Sequence, residues 1–394
     1  MTQFPQKDMF HIPDGLIYLD GNSLGPIPKA VPAATQKMLT DEWGELLIRG
    51  WNKAGWMNQP TKLGDQIAPI IGVVAGSVAV GDTLSVKVFQ ALAAALQLNP
   101  DRRKILSDNG NFPTDLYMAE GLIRTIGKDH KLITVDPTDV INSIDDDTAV
   151  VMLTQVDYRT GRLHDTKTIT AAAHAAGAIM IWDLAHTAGA MPIDLAGAEF
   201  AVGCTYKYLN AGPGAPAFIY VRPDLIETIQ PALSGWLGHD APFEFEQSYR
   251  PGHAIERMRV GTPPVIQMAS LQVALDIWKD LDLNDLRAAS IKLSERFIAG
   301  IEATCPDLTL ASPRDPNARG SQVSFAFDQG YAAMQAVIDH GVIGDFRAPN
   351  IMRFGFTPLY LDESDIDAAV GIIASVMTQK LYTDAKYQTR SRVT

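Results

Sequence analysis

From about residue 60 to residue 260, short β-rich runs alternate with helix-spaced segments, and this alternation limits the possible architectures more than any other feature. Strands are expected over residues 104–107, 131–135, 149–154, 178–183, 201–205 and 217–221. The spacing of apolar residues predicts helices over 85–98, 114–126 and 166–176. Near-continuous apolar runs joined through helices are how a parallel sheet buried on both faces reads in sequence. The expected class is therefore α/β: a large domain with a mostly parallel mixed sheet covered by helices, plus a smaller α+β domain. In such sheets ligands lie beyond the carboxyl ends of the strands, which singles out Thr154, Asp183 and Lys207.

Downstream the texture changes. Thr262-Pro263-Pro264 opens a helical stretch over 265–281, and a second runs over 283–304. A strand over 322–327, a helix over 331–340, a strand over 351–356 and a last helix over 363–381 follow. A chain of 394 residues exceeds the usual size of a single core. The expected division is 1–55 as an N-terminal segment of the small domain, 56–264 as the large domain and 265–394 as the C-terminal small domain. The polar tail over 382–394 is expected to fray.

Charge and cysteine usage remove whole function classes. A net charge of −12 repels phosphate backbones, and no basic patch offsets it, so nucleic acid is not an expected partner. Two cysteines, Cys204 and Cys305, leave no room for a disulfide framework or a zinc cluster, and no metal is expected. The first residues lack an apolar leader, and the longest apolar stretch, 67–80, is too short to span a bilayer. A cytoplasmic protein without membrane contact is expected.

Four constellations carry chemistry. Ile181-Trp182-Asp183-Leu184-Ala185-His186 ends an apolar run in an aspartate followed by a histidine. Such an aspartate can cap a following helix, or pair as a buried carboxylate with a pyridinium nitrogen and keep an electron-accepting ring protonated. Lys207 comes next, flanked by Tyr206 and Tyr208 and followed by Asn210-Ala211-Gly212-Pro213-Gly214. A desolvated lysine is a nucleophile toward an aldehyde. Aspartate, histidine and lysine at successive strand ends together point to pyridoxal phosphate, held by Lys207 as a Schiff base. Third, Gly81-Asp82-Thr83-Leu84-Ser85 precedes an apolar-faced helix, either as an ordinary N-cap or as a phosphate cradle of free N–H groups. Phe112-Pro113-Thr114-Asp115 puts a ring ahead of another helix, to stack on a planar cofactor or to staple the helix start. Fourth, Arg353 sits inside the apolar run Ile351-Met352-Arg353-Phe354-Gly355-Phe356. Its permanent charge needs a partner: a structural carboxylate, or the α-carboxylate of an amino acid in a bidentate clamp.

With these residues in view the chain resembles the kynureninase family of fold-type I pyridoxal-phosphate enzymes, over nearly its whole length. The most specific pieces are Tyr18-Leu19-Asp20-Gly21-Asn22-Ser23-Leu24-Gly25, Gly50-Trp51-Asn52, Phe112-Pro113-Thr114-Asp115, Tyr206-Lys207-Tyr208-Leu209-Asn210-Ala211-Gly212, Gly235-Trp236-Leu237-Gly238-His239 and Arg259-Val260-Gly261-Thr262-Pro263-Pro264. The resemblance implies that Lys207 bonds the cofactor and later moves the Cα proton, with Tyr206 as a second catalytic group. It implies Asp183 at the pyridine nitrogen, Asp115 and His186 beside the ring, Phe112 stacked on it, and Pro113, Thr114 and Thr154 nearby. Leu84, Ser85 and Tyr206 would surround the phosphate. Trp236 and Thr262 would reach it from the partner subunit of a homodimer, placing the active site at the subunit interface. Arg353 and Asn22 would bind the substrate. The implied reaction is hydrolysis of L-kynurenine, with 3-hydroxykynurenine as a second candidate, to anthranilate or 3-hydroxyanthranilate and L-alanine. The alternative is another reaction on the same fold, such as a cysteine desulfurase with Cys305 as its thiol, or an aminotransferase. Lys87 and Thr262 depart from the family pattern, where asparagine is usual at the first and found in some members at the second. The phosphate contacts there stay open.

Overall fold

A computed structural model describes residues 4–389. Its main sheet has seven strands: β1 (Val78–Val80), β2 (Lys104–Asp108), β3 (Lys131–Val135), β4 (Thr148–Thr154), β5 (Ile179–Asp183), β6 (Phe200–Gly203) and β7 (Phe218–Val221). Their spatial order is β1-β7-β6-β5-β4-β2-β3, parallel throughout except that β7 runs against both neighbours. All seven residues of β4 are buried, because helices cover both faces. Alternate residues feed two cores: Val150 and Met152 pack with the helices α1 (Leu84–Leu98) and α2 (Pro113–Ile126), and Val151 and Leu153 pack on the opposite side. Each such side chain, fully buried, contributes about 1.5–3 kcal/mol.

One edge carries what periodicity did not reveal: three-residue β1 is too short to show a pattern. At the other edge β3 coincides with the strand expected over 131–135, although it is largely exposed. The helix expected over 265–281 stops at Asp276 (α3, Val265–Asp276), and the strand expected over 201–205 ends at Gly203, leaving Lys207 in a loop. The expectation of a frayed tail is wrong for its first part. Tyr382 and Tyr387 are buried, Tyr382 against Phe327 and Tyr387 bonded through its hydroxyl to Asp339; residues 390–394 lie outside the described range.

A second, antiparallel sheet has the order β8-β9-β11-β10, formed by β8 (Thr309–Leu310), β9 (Gln322–Ala326), β10 (Asp345–Arg347) and β11 (Ile351–Gly355). The helices α4 (Leu283–Thr304) and α5 (Glu363–Thr378) pack together beside it. An Asp362–Asp365 capping box starts α5, a device worth about 1 kcal/mol. The N-terminal segment joins this half of the molecule. Ile17–Tyr18 pairs in parallel with Val342–Ile343, Leu19 O accepts from Gly355 N at 2.7 Å, and Gly25 N donates to Tyr206 O at 2.8 Å. The turn at Gly21-Asn22-Ser23 is thereby carried from β11 to the loop that holds Lys207. No helix among the described residues is long and apolar enough to cross a membrane.

Candidate active site

The carboxyl ends of β5 and β6 bring Asp183, His186 and Lys207 together. Lys207 Nζ lies 3.0 Å from His186 Nε2, and 6.0 and 5.8 Å from the ring centres of Phe112 and Tyr206. Burial, and then the charge of Lys207, push the His186 imidazole well below its usual range, so it is neutral beside the lysine. Asp183 ends β5 fully enclosed. One of its oxygens accepts from Ala185 N at 2.8 Å in a tight turn that no helix follows, so the helix-cap reading of this aspartate does not hold.

Asp115, in the first turn of α2, is buried beside Asp183. Burial, and then the charge of Asp183, push its carboxyl well above the usual range; Asp183 is raised as well, by burial and against the pull of Lys207. Two enclosed carboxyls therefore compete for one lysine. Asp115 Oδ2 has no hydrogen-bond partner. A cationic ring N–H is what this pair lacks, and a pyridinium nitrogen would supply it. Phe112 completes the fit: it is 42% exposed despite its size, immediately before Pro113 and Thr114, with its ring edge-on to Tyr158 at 5.2 Å. A flat ring between Phe112 and the β5–β6 ends would cover it.

The phosphate end fits too. Thr83 stands at the N-cap of α1 without a side-chain cap bond, so the N–H groups of Leu84 and Ser85 face outward uncapped. Lys87 is buried one turn on, its Nζ held by Asp82 at 3.0 Å, Gln90 at 2.9 Å and Met258 O at 3.4 Å. Its ammonium is thereby committed to protein partners, and it shares a small cleft with Thr262. Thr262 and Trp236 are otherwise exposed on this chain, Trp236 stacking edge-on with Phe243. Thr154 ends β4 with its hydroxyl donated to Val156 O at 3.2 Å.

Comparison with known proteins decides what this arrangement belongs to. The chain is 47% identical to the kynureninase of Pseudomonas fluorescens over 99% of its own length and 96% of that protein. It is 46% identical to the kynureninase of Burkholderia pseudomallei (strain 1106a) over the same shares. The chain belongs to the kynureninase family. The kynureninase C-terminal domain family matches residues 286–373. Among solved structures, a cysteine desulfurase from Thermococcus onnurineus NA1 superposes with a TM-score of 0.81, covering 96% of this chain and 99% of that one. A C-DES variant with glycine covalently linked to its PLP cofactor does so equally well, over 94% and 99%. Both are 18% identical, so the likeness establishes the fold and nothing of the reaction. Family membership makes this a pyridoxal-phosphate enzyme of the kynureninase class.

The desulfurase alternative loses its thiol. Cys305 is buried at the end of α4 with its sulfur beside Thr304 Oγ1, and burial pushes the thiol up, away from the reactive thiolate.

On the substrate side the kynureninase-like turn puts Asn22 in full enclosure with neither side-chain amide atom bonded. Gly355 is required above it, because a Cβ there would collide with Asn22 Oδ1. Arg353 is buried against Asp345, Ser23 and Tyr158 O. The resemblance placed Arg353 near the Gly21-Asn22-Ser23 turn, but sequence reasoning missed Asp345, Arg347 and Tyr158 as parts of this cluster. The alternating Asp345-Phe346-Arg347 ahead of Ala348-Pro349-Asn350 was the available signal, since it puts two charges on one strand face next to a turn.

Asp20 closes the cluster. Its carboxyl is pushed up to about 8, first by burial and then by the charge of Asp345, which Arg353 holds low. Of these two acids, Asp20 is therefore the one that holds its proton more tightly. An unfolded aspartate ionises near about 3.9, so the stability Asp20 contributes is full below that value and lost as pH rises to about 8. Asp20→Asn, neutral at every pH, is expected to gain steadily on wild type in melting temperature from pH 5 to pH 8.5. Thermal unfolding of both proteins across this range checks it, and a constant offset would contradict the assignment.

Proposed function

We propose that this chain hydrolyses L-kynurenine to anthranilate and L-alanine by cleaving the Cβ–Cγ bond. The end-to-end likeness to curated kynureninases carries the reading. Pyridoxal phosphate, when bound, supplies the electron sink that makes bonds at Cα and then Cβ breakable. The chain supplies position and proton traffic. Asp183, with Asp115 behind it, keeps the ring nitrogen protonated. Phe112 stacks on the ring, with His186, Pro113, Thr114 and Thr154 shaping its surroundings. Leu84, Ser85 and Tyr206 hold the phosphate. Arg353 and Asn22 fix the substrate's α-carboxylate end, so that Cα–H points at Lys207. Lys207 Nζ takes that proton. Water adds to the γ-carbonyl, the Cβ–Cγ bond breaks to release anthranilate, and Tyr206 or Lys207 delivers a proton to Cβ.

A homodimer with Trp236 and Thr262 lent to the partner's phosphate is part of the same reading; their exposure on a single chain supports it. So is the division into a cofactor-binding domain over 56–264 and a small domain built from 1–55 and 265–394. Purified protein with added pyridoxal phosphate should release fluorescent anthranilate from L-kynurenine. Release of sulfide from cysteine, with no anthranilate, would overturn the proposal.

A further inference from the structure

Arg353 has little left to offer an incoming anion. Its Nε donates to Asp345 Oδ1 at 2.8 Å, its Nη2 to the other oxygen of that carboxylate and to Ser23 Oγ, and its Nη1 to Tyr158 O. A guanidinium has five N–H groups, so a single Nη1–H remains. The sheet register explains the commitment, since Asp345 stands directly opposite Arg353 across the β10–β11 pair.

Arg347 lies two residues further along β10, on the same face as Asp345. Its side chain is 33% exposed, where that of Arg353 is 2%. Nη2 bonds Asp345 Oδ2 at 2.7 Å and Ser23 Oγ at 3.2 Å, and Nη1 bonds Phe346 O at 3.1 Å. Its Nε–H and one Nη1–H have no partner among the described residues. Its charge is felt at His186, 3.0 Å from the Lys207 amine, and at Tyr206, whose ring centre lies 5.8 Å from that amine. The charge count points the same way. Both guanidiniums pair with one carboxylate, Asp345, while Asp20 is raised to about 8, so with Asp20 protonated the cluster is one anion short of neutral.

We propose that Arg347 is a direct ligand of the substrate's α-carboxylate, acting with the one free N–H of Arg353, and that Asp345 is the positioning residue that holds both guanidiniums. The inference rests on the proposed function only in that an amino-acid substrate is gripped beside Arg353. It makes Arg353 the fixed anchor of the clamp and Arg347 the half that meets the ligand.

The test uses holoenzyme of wild type, Arg347→Gln and Arg347→Lys. Each is assayed with L-kynurenine and titrated with L-alanine and with L-alaninol, which carries a hydroxymethyl group in place of the carboxylate, by the change in cofactor absorbance. Arg347→Gln should raise KM and the L-alanine Kd by about 10- to 100-fold, the usual worth of a charge-assisted contact. Its kcat should stay within about threefold, and its L-alaninol affinity should not change. Arg347→Lys should fall between, keeping the charge without the fork. Unchanged L-alanine affinity in the glutamine variant would overturn the proposal, as would equal weakening of L-alanine and L-alaninol. If the glutamine variant fails to fold or to hold cofactor, the lysine variant decides alone, and wild-type L-alanine affinity there would overturn it. Wild type that leaves kynurenine intact would refute the proposed function, while the alanine and alaninol titrations would still decide the role of Arg347.

Discussion

Lys207→Ala is expected to lower turnover of L-kynurenine by at least about 10³-fold while leaving the fold intact. A positioned general base alone is worth about 10²–10⁴-fold, and in the proposed mechanism the same amine is also the nucleophile that tethers the cofactor. The side chain is half-buried in a loop beyond β6 and makes one polar contact, to His186, so truncating it removes little packing. Thermal stability should therefore stay near wild type, which separates a chemical loss from a structural one. Borohydride supplies an independent readout: in wild type it should fix the cofactor to the peptide carrying Lys207, and in the variant to no peptide. Full turnover in Lys207→Ala would end the assignment. Retained turnover with labelling at another lysine would move the role to that residue.

The lysine was legible because its neighbours are local. Tyr206, Tyr208 and the glycine-containing run after them are contiguous in sequence, and strand-end position follows from apolar runs that any parallel sheet displays. Asp183 was equally visible as a residue, but its role was not. Whether it caps a helix or faces a ring depends on Asp115, nearly seventy positions earlier, arriving beside it from α2. The carboxylate cluster was less legible still. Arg353 announced itself as a charge in an apolar strand, whereas its commitment to Asp345 comes from the register of a hairpin, and Ser23 reaches it from the opposite end of the chain. The uncapped start of α1 is a similar case. Asp82 and Thr83 are good capping residues by type, and only the backbone, with Asp82 at φ 57°, shows that neither closes the helix end.

Asp183→Asn should separate activity from stability in opposite directions. In the proposed holoenzyme the Asp183 carboxylate would be the counter-charge for a buried ring cation, and removing one partner of a buried pair costs about 3–5 kcal/mol. At about 1.4 kcal/mol per tenfold, that predicts a fall in kcat/KM of about 10²- to 10⁴-fold. Asp115 is close enough to take over part of the role, so Asp115→Asn alone should cost less, and the double variant more than either. The cofactor-free protein should behave the other way. There Asp183 and Asp115 are two buried acids, both raised by burial, with only Lys207 opposite. An amide of the same shape relieves that repulsion, so cofactor-free Asp183→Asn should melt above cofactor-free wild type, and more so at pH 8 than at pH 5. The sign follows from linkage: a carboxyl raised by folding stabilises while protonated and loses that contribution as pH rises through its folded value. Melting curves with and without pyridoxal phosphate, beside kcat/KM, check both halves. A variant that lost stability without cofactor, or kept full activity with it, would show that Asp183 serves the turn at Ala185 and not the ring nitrogen.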